Sequence, residues 1–146
     1  MATANGSNFP GAISSTPYGP TFGAPTGILR VVGSFITASF PGNQSFLYDG
    51  AAAPGQQITP LLFPILPGAS ATFDTIAHST FGNQVVGNYD TTTTKSTGSA
   101  FIYNIATGTY TTNNRPGALS NTAYGVWGNR IAGGSTDTGG GGLEHG

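Results

Sequence analysis

The chain returns three times to the same short phrases, and few folds accommodate a sequence that does so. Pro-Gly-Ala occurs at 10–12, 67–69 and 116–118. An apolar run closed by glycine occurs as RVVGSF at 30–35, QVVGNY at 84–89 and RIAGGS at 130–135. A third phrase, SFLYDG at 45–50 and AFIYN at 100–104, occurs twice. Phe46 follows Val31 by 15 residues and Phe101 follows Val85 by 16, and the same step from Ile131 reaches position 147. The spacing predicts a single repeat domain over 1–146, with repeats near 3–50, 56–104 and 107–146, the last without its final strand.

Each repeat reads as four short strands. Their positions are 56–62 or 107–112, 72–79 or 122–127, 84–89 or 130–134, and 45–49 or 100–104. Turn residues separate them in LPGAS, FGNQ, DTTTTKSTGS and NIATG. Gly-Asn between two apolar runs, in FGNQ and again in WGNR, is a hairpin signal. No window sustains a helical period, and prolines interrupt most candidates. The expectation is an all-β fold of repeated antiparallel four-stranded units. Residues that recur at the repeat's own phase are expected in the core: Phe46, Tyr48, Val85, Phe101, Tyr103, Tyr124 and Ile131.

Composition supports this and excludes several functions. Charged residues are 6% of the chain, against about 25% in ordinary soluble domains. With 24 glycines and 10 prolines it is rich in turn formers, yet 11% aromatic content argues against disorder. The basic residues are Arg30, Lys95, Arg115 and Arg130, and the net charge is −1. That is no surface for nucleic acid, which needs clustered cations. There is no cysteine to form a disulfide or a thiolate zinc site. No apolar run reaches the about 20 residues of a membrane span.

The pattern PGA…AYG…G-N-x-h-h-G…G-x-x-h-[LI]-Y-[DN], with h an apolar residue, resembles the extracellular HAF-type repeat proteins of bacteria. The resemblance covers nearly the whole chain and implies an extracellular or cell-surface location, with no catalytic residues to carry over. Four-stranded units of this period look like β-propeller blades. The first repeat departs from the pattern in GPTFGAPTGILRVVG, so an irregular loop is expected near 19–30. Three blades are too few to close a propeller, which usually takes about 4–8. The expected partners are therefore further repeats of a longer parent chain or a second copy, the N-terminal segment of one filling the open strand position of the other.

Candidate chemistry is sparse. Asp74 and His78 are spaced to share one face of a strand, the arrangement of a carboxylate–histidine general base. Asp49, Asp90 (with Asn88) and Asp137 end or follow strands, where oxygen ligands for calcium are commonly supplied. Zinc is poorly served by His78 and His145 alone. Tyr48, Tyr103, Tyr110, Tyr124 and Trp127 recur per repeat and suit stacking on a sugar or peptide. Two functions follow as expectations. One is a non-catalytic extracellular binding or scaffold module, taking glycan or peptide. The other is a calcium-dependent hydrolase of lactones or esters, with His78 and Asp74 as the base and the three aspartates holding the ion.

Overall fold

A computed structural model of the chain describes residues 11–23, 27–94, 98–137 and 144–146. The described residues are strands and turns, with no helix. Strands β1 (Ala12–Gly23), β2 (Ile28–Thr37), β3 (Phe40–Asp49) and β4 (Ile58–Leu61) form one antiparallel sheet in chain order. Strands β5 (Thr72–Phe81), β6 (Gln84–Thr91), β7 (Ser99–Asn104) and β8 (Thr109–Thr112) form a second in the same order. The third contains β9 (Ala118–Trp127), β10 (Arg130–Asp137) and the short β11 (Glu144–His145). Each sheet begins one strand later than the sequence repeat, because the run at 58–61 pairs back onto β3.

Hairpin chemistry sets the first pairing of the second and third sheets. Gly82 and Gly128 have φ of 56° and 61° and lead two-residue turns, with Phe81 opposite Gln84 and Trp127 opposite Arg130. The loop expected over 19–30 is mostly absent. Instead β1 and β2 run on, with Phe22 opposite Leu29 and Gly23 opposite Ile28. The apparent insertion lengthens a hairpin, and residues 24–26 lie outside the described residues.

The sheets stack face to face in a row. Strand β5 crosses β1, β2 and β3, and β9 crosses β5, β6 and β7 in the same relation. The described residues do not close into a ring or barrel. Between the first two sheets lie Val32, Leu47 and Leu61 on one side and Ala77, Val85, Tyr89 and Phe101 on the other. Phe63, from the connection after β4, fills the centre and is 1% exposed. Its ring stacks on Tyr89 with centroids 3.6 Å apart and 3° between planes. Burial of one such ring stabilises by roughly 1.5–3 kcal/mol. Between the second and third sheets the side chains are smaller: Val86, Ala100, Ala123 and Val126.

Polar groups tie the first interface together. Ser45, fully buried in β3, donates from Oγ to the Thr75 carbonyl at 2.7 Å and accepts the Ala77 amide at 2.6 Å. Thr75 Oγ1 in turn accepts the Phe63 amide at 3.0 Å. At the equivalent place in the next interface, Asn121 Oδ1 accepts the Arg115 amide at 2.8 Å. Backbone amides at both seams are thus satisfied by side chains, as burial requires.

Of the expected core, Phe46, Val85 and Phe101 are buried, while Tyr48, Tyr103 and Ile131 are half-buried. Tyr124 is a correction, being 60% exposed. The reason lies in the shape of the first strand of each sheet.

Candidate functional site

Strands β1, β5 and β9 are the first and outermost strands of their sheets. They also lie beside one another in the stack. Each is bulged twice at matching positions. In β5 the register steps from Ala77↔Gly87 to Ser79↔Val86, so His78 is the additional residue. In β9 it steps from Ala123↔Gly133 to Gly125↔Ala132, leaving Tyr124. In β1 it steps from Pro17↔Gly33 to Pro20↔Val31, leaving Tyr18 and Gly19 opposite one residue. Five residues earlier a second bulge holds Ile13, Phe73 and Leu119.

The glycine that closes each apolar run is the partner of this bulge. A Cβ on Gly87 would stand 2.9 Å from Ala77 Cα, with the Ile76 carbonyl oxygen closer still. A Cβ on Gly133 would stand 3.1 Å from the Thr122 carbonyl carbon, and one on Gly33 would meet the Thr16 carbonyl and, at 2.7 Å, the Phe46 ring. Thr16, Ile76 and Thr122 occupy one position of the repeat, each just before the residue paired with the glycine. Glycine admits the bulged backbone, and the bulge re-aims the next side chain.

The re-aimed side chains form a row. His78 lies between Tyr18 and Tyr124, with ring centroids 5.3 Å apart on both sides and interplanar angles of 56° and 57°. Alongside it Ile13 and Leu119 are 71% and 54% exposed. At the hairpin tips Trp127, 72% exposed, leans on Phe81 with centroids 4.5 Å apart. The result is one edge of the stack that carries an aromatic row, one ring from each sheet, with Ile13 and Leu119 exposed on the same strands.

The expected His78–Asp74 pair does not assemble. His78 Nε2 lies 2.8 Å from Asn88 Oδ1, and burial pushes its pKa below the ordinary value, an effect the Asn88 bond partly offsets. An amide oxygen only accepts, so Nε2 carries the hydrogen. Asp74 Oδ1 instead accepts from the backbone amide of Asn43 and, at 2.9 Å, from its side-chain amide, both in the first sheet. Asp74 follows the Phe73 bulge and His78 is itself the other, and each is held by an asparagine of a different strand.

The three aspartates are also kept apart, in β3, β6 and β10. Asp49 Oδ2 pairs with Arg30 at 3.0 Å, while its Oδ1 accepts the Ala51 amide. Burial alone would raise the Asp49 pKa, but the Ala51 amide and the Arg30 guanidinium together hold it below the ordinary value. Asn104, its counterpart in the second sheet, accepts the Ala106 amide through Oδ1 at 3.0 Å. The shared job is an Asx turn ending the strand, and it needs an oxygen rather than a charge. Asp90 Oδ1 accepts the Gly98 amide at 2.7 Å, and Asp137 pairs with Arg115 at 2.6 Å. Among the described residues no three His, Asp or Glu side chains converge on a point. The donor set does not fit a calcium ion shared by these aspartates. The side chains of Glu144 and His145 lie outside the described residues.

Of the recurring aromatics, Tyr48, Tyr103 and Tyr110 pack inward or against one another, with Tyr103 and Tyr110 centroids 4.7 Å apart. Tyr124 and Trp127 face out. Sequence reasoning missed Tyr18, Ile13 and Leu119. The available signal was the five-residue step from Ile13 to Tyr18, Phe73 to His78 and Leu119 to Tyr124.

No family model matches the chain, and neither curated proteins nor solved structures give a match. Among the described residues no helix is long and apolar enough to cross a membrane.

Proposed function

We propose that the chain is a non-catalytic binding or scaffold module whose contact surface is the bulged edge of β1, β5 and β9. The observation that carries this reading is the equivalence of the three bulges. The same device, a glycine admitting a bulge that turns out a ring, is used at Tyr18, His78 and Tyr124. Tyr124 is exposed, and Tyr18 and His78 are half-buried beside it, so the three rings present one continuous edge. The row suits a ligand that offers flat or apolar faces in succession, a glycan or an extended peptide, held by stacking on the rings. The constant relation between consecutive sheets supports a propeller-like array, continued by further repeats or by other copies. Extracellular placement rests on the family resemblance.

The test is a glycan array and a peptide library probed with the wild-type chain and with Tyr124→Ala. A ligand of the row should lose about tenfold in affinity in the variant, the equivalent of about 1.4 kcal/mol. A flat response from both libraries would remove ligand binding and leave a scaffold role.

A further inference from the structure

The aromatic row carries polar atoms that the fold does not use. His78 directs its Nε2 hydrogen to Asn88 Oδ1, which leaves Nδ1 with a lone pair and no hydrogen-bond partner among the described residues. The hydroxyls of Tyr18 and Tyr124 likewise have none. Nor are these atoms sealed off. Among the described residues the one buried side-chain nitrogen or oxygen without a partner is Arg30 Nε. The row therefore offers two ring hydroxyls and, on the ring between them, an acceptor nitrogen.

Charge is absent from this edge. Strands β1, β5 and β9 hold one carboxylate between them, Asp74, and Asn43 occupies its Oδ1. None of the three strands carries a lysine or an arginine. The His78 side chain meets Tyr18 from β1, Asn88 from β6 and Tyr124 from β9, and no carboxylate, ammonium or guanidinium group among the described residues. A charged ligand would lose water here and gain no counter-charge.

Direction narrows the ligand further. The row takes one ring from each of three sheets, so a chain laid along it crosses the strands instead of following one. It meets no continuous ladder of amides and carbonyls, and each strand it passes is bulged at that point. An extended peptide on a sheet edge draws its affinity from such a ladder. A sugar chain does not need one, because its C–H faces stack on rings and its hydroxyls bond a few placed polar atoms. Successive rings lie 5.3 Å apart, close to the advance of one pyranose along an extended β-linked chain.

We propose that the row binds a neutral, unbranched β-linked glycan, one pyranose per ring over three units, with His78 Nδ1 accepting a hydrogen bond from the central sugar. This rests on the reading of the bulged edge as a binding surface and names its ligand. Burial holds the His78 pKa below the ordinary 6.5, so the neutral ring with its acceptor is the form present at neutral pH. A protonated ring has lost that acceptor, and a stacked sugar would strip water from its charge.

The probes are β-1,4-linked oligomers of glucose and of N-acetylglucosamine, as dimer, trimer and hexamer, titrated calorimetrically against the intact chain. Saturable binding of at least one trimer, tighter than about 1 mM, is expected. Its dimer should bind about fivefold more weakly, the loss of one stacked ring, and its hexamer little more tightly. His78→Phe keeps a ring at the centre and removes the acceptor, so the trimer should bind it about fivefold more weakly, the weight of one neutral hydrogen bond. Affinity should also fall from about pH 7 to about pH 5 for the wild type and not for this variant. In the wild type the Nδ1 nitrogen resonance of His78 should move as the trimer saturates, a readout that needs no variant to fold. Equal affinity for dimer and trimer, unchanged affinity in His78→Phe, or an unmoved Nδ1 resonance would each overturn the assignment. Peptide binding that depends on Tyr124, without glycan binding, would overturn it and leave the row a binding surface. Silence from glycans and peptides alike would remove both readings.

Discussion

The coupling of glycine to bulge makes a sharp stability prediction for Gly87→Ala. The added methyl group would stand 2.9 Å from both Ala77 Cα and the Ile76 carbonyl carbon, with the carbonyl oxygen nearer. These are backbone atoms of a paired strand, so no side chain can rotate out of the way. Relief requires β5 to withdraw from β6, which loosens the ladder on either side of His78 and disturbs the Ser45 bonds to Thr75 and Ala77. Overpacking alone costs typically about 1–3 kcal/mol, and the loss here belongs at the upper end, about 3 kcal/mol. For a chain of this size each kcal/mol moves Tm by roughly 2–4 °C, so a fall of about 6–12 °C is expected. Gly125→Ala is the internal control. It lies in β9, one residue past the bulge, where an added Cβ meets nothing within 4 Å. Ser79 already carries a side chain at the equivalent position. That variant should be neutral or stabilise by up to about 1 kcal/mol through the unfolded chain. Urea unfolding of both variants, followed by intrinsic fluorescence, makes the comparison. If the two agree within about 0.5 kcal/mol, the normal scatter of harmless surface substitutions, the steric account of the repeated glycine is wrong.

Two further outcomes follow from the interior and from the row. Ser45→Ala should cost about 1–3 kcal/mol, because it leaves the Ala77 amide and the Thr75 carbonyl buried and unpaired. Ser45→Thr would not restore this, since the extra methyl enters the same seam; chemical denaturation of the three proteins tests both statements. His78→Tyr should fold normally, because tyrosine already occupies the matching bulges at 18 and 124, and it should flatten the pH dependence of stability. Burial places the folded-state pKa of His78 below the ordinary 6.5, so the unfolded chain binds that proton more readily. The contribution is complete above 6.5 and is lost as pH falls through that value toward the folded pKa, a slope that thermal melts across this range should show for wild type and not for the variant.

The repeat made much of the architecture legible. The phrases RVVG, QVVG and RIAG became β2, β6 and β10, and SFLYD and AFIYN became β3 and β7. The Gly-Asn turns fell where two-residue hairpins need a positive φ. What stayed hidden depended on register, which phrases compared along one chain do not report. Alternation assumes an unbroken pleat, and β5 breaks it at Phe73 and at His78. Asp74 and His78 stand at those two breaks, and they find partners in different strands, Asn43 in β3 and Asn88 in β6. Tyr124 was assigned to the core on recurrence alone, and recurrence cannot tell a packed ring from a displayed one. Phe63 escaped for another reason. It sits in LFPILPG, where the prolines argue for a turn, and its burial comes from the neighbouring sheet closing over the connection. Asp49 shows the same ambiguity, since only comparison with Asn104 reveals a turn oxygen rather than a charged ligand.

The bulges also account for how an open stack avoids uncontrolled pairing along β1, β5 and β9. A flat edge strand of ten residues offers a ready ladder to any other chain, and bulges are a standard way of spoiling it. Here each such edge is interrupted at both ends by a residue the partner strand does not match. The interruption that blocks backbone pairing is the same one that brings Tyr18, His78 and Tyr124 into one row. Protection and display are thus two consequences of a single glycine per unit. Smoothing the bulged edge, for instance by deleting His78 together with Tyr124, should therefore do more than remove rings. It should leave β5 and β9 with one bulge each instead of two, lengthen their regular ladders and make the displaying edge more adhesive. Light scattering at increasing concentration would register the change as growing mass in the deletion variant, with the wild type unchanged. If the variant stays as dispersed as the wild type, the bulges serve display alone.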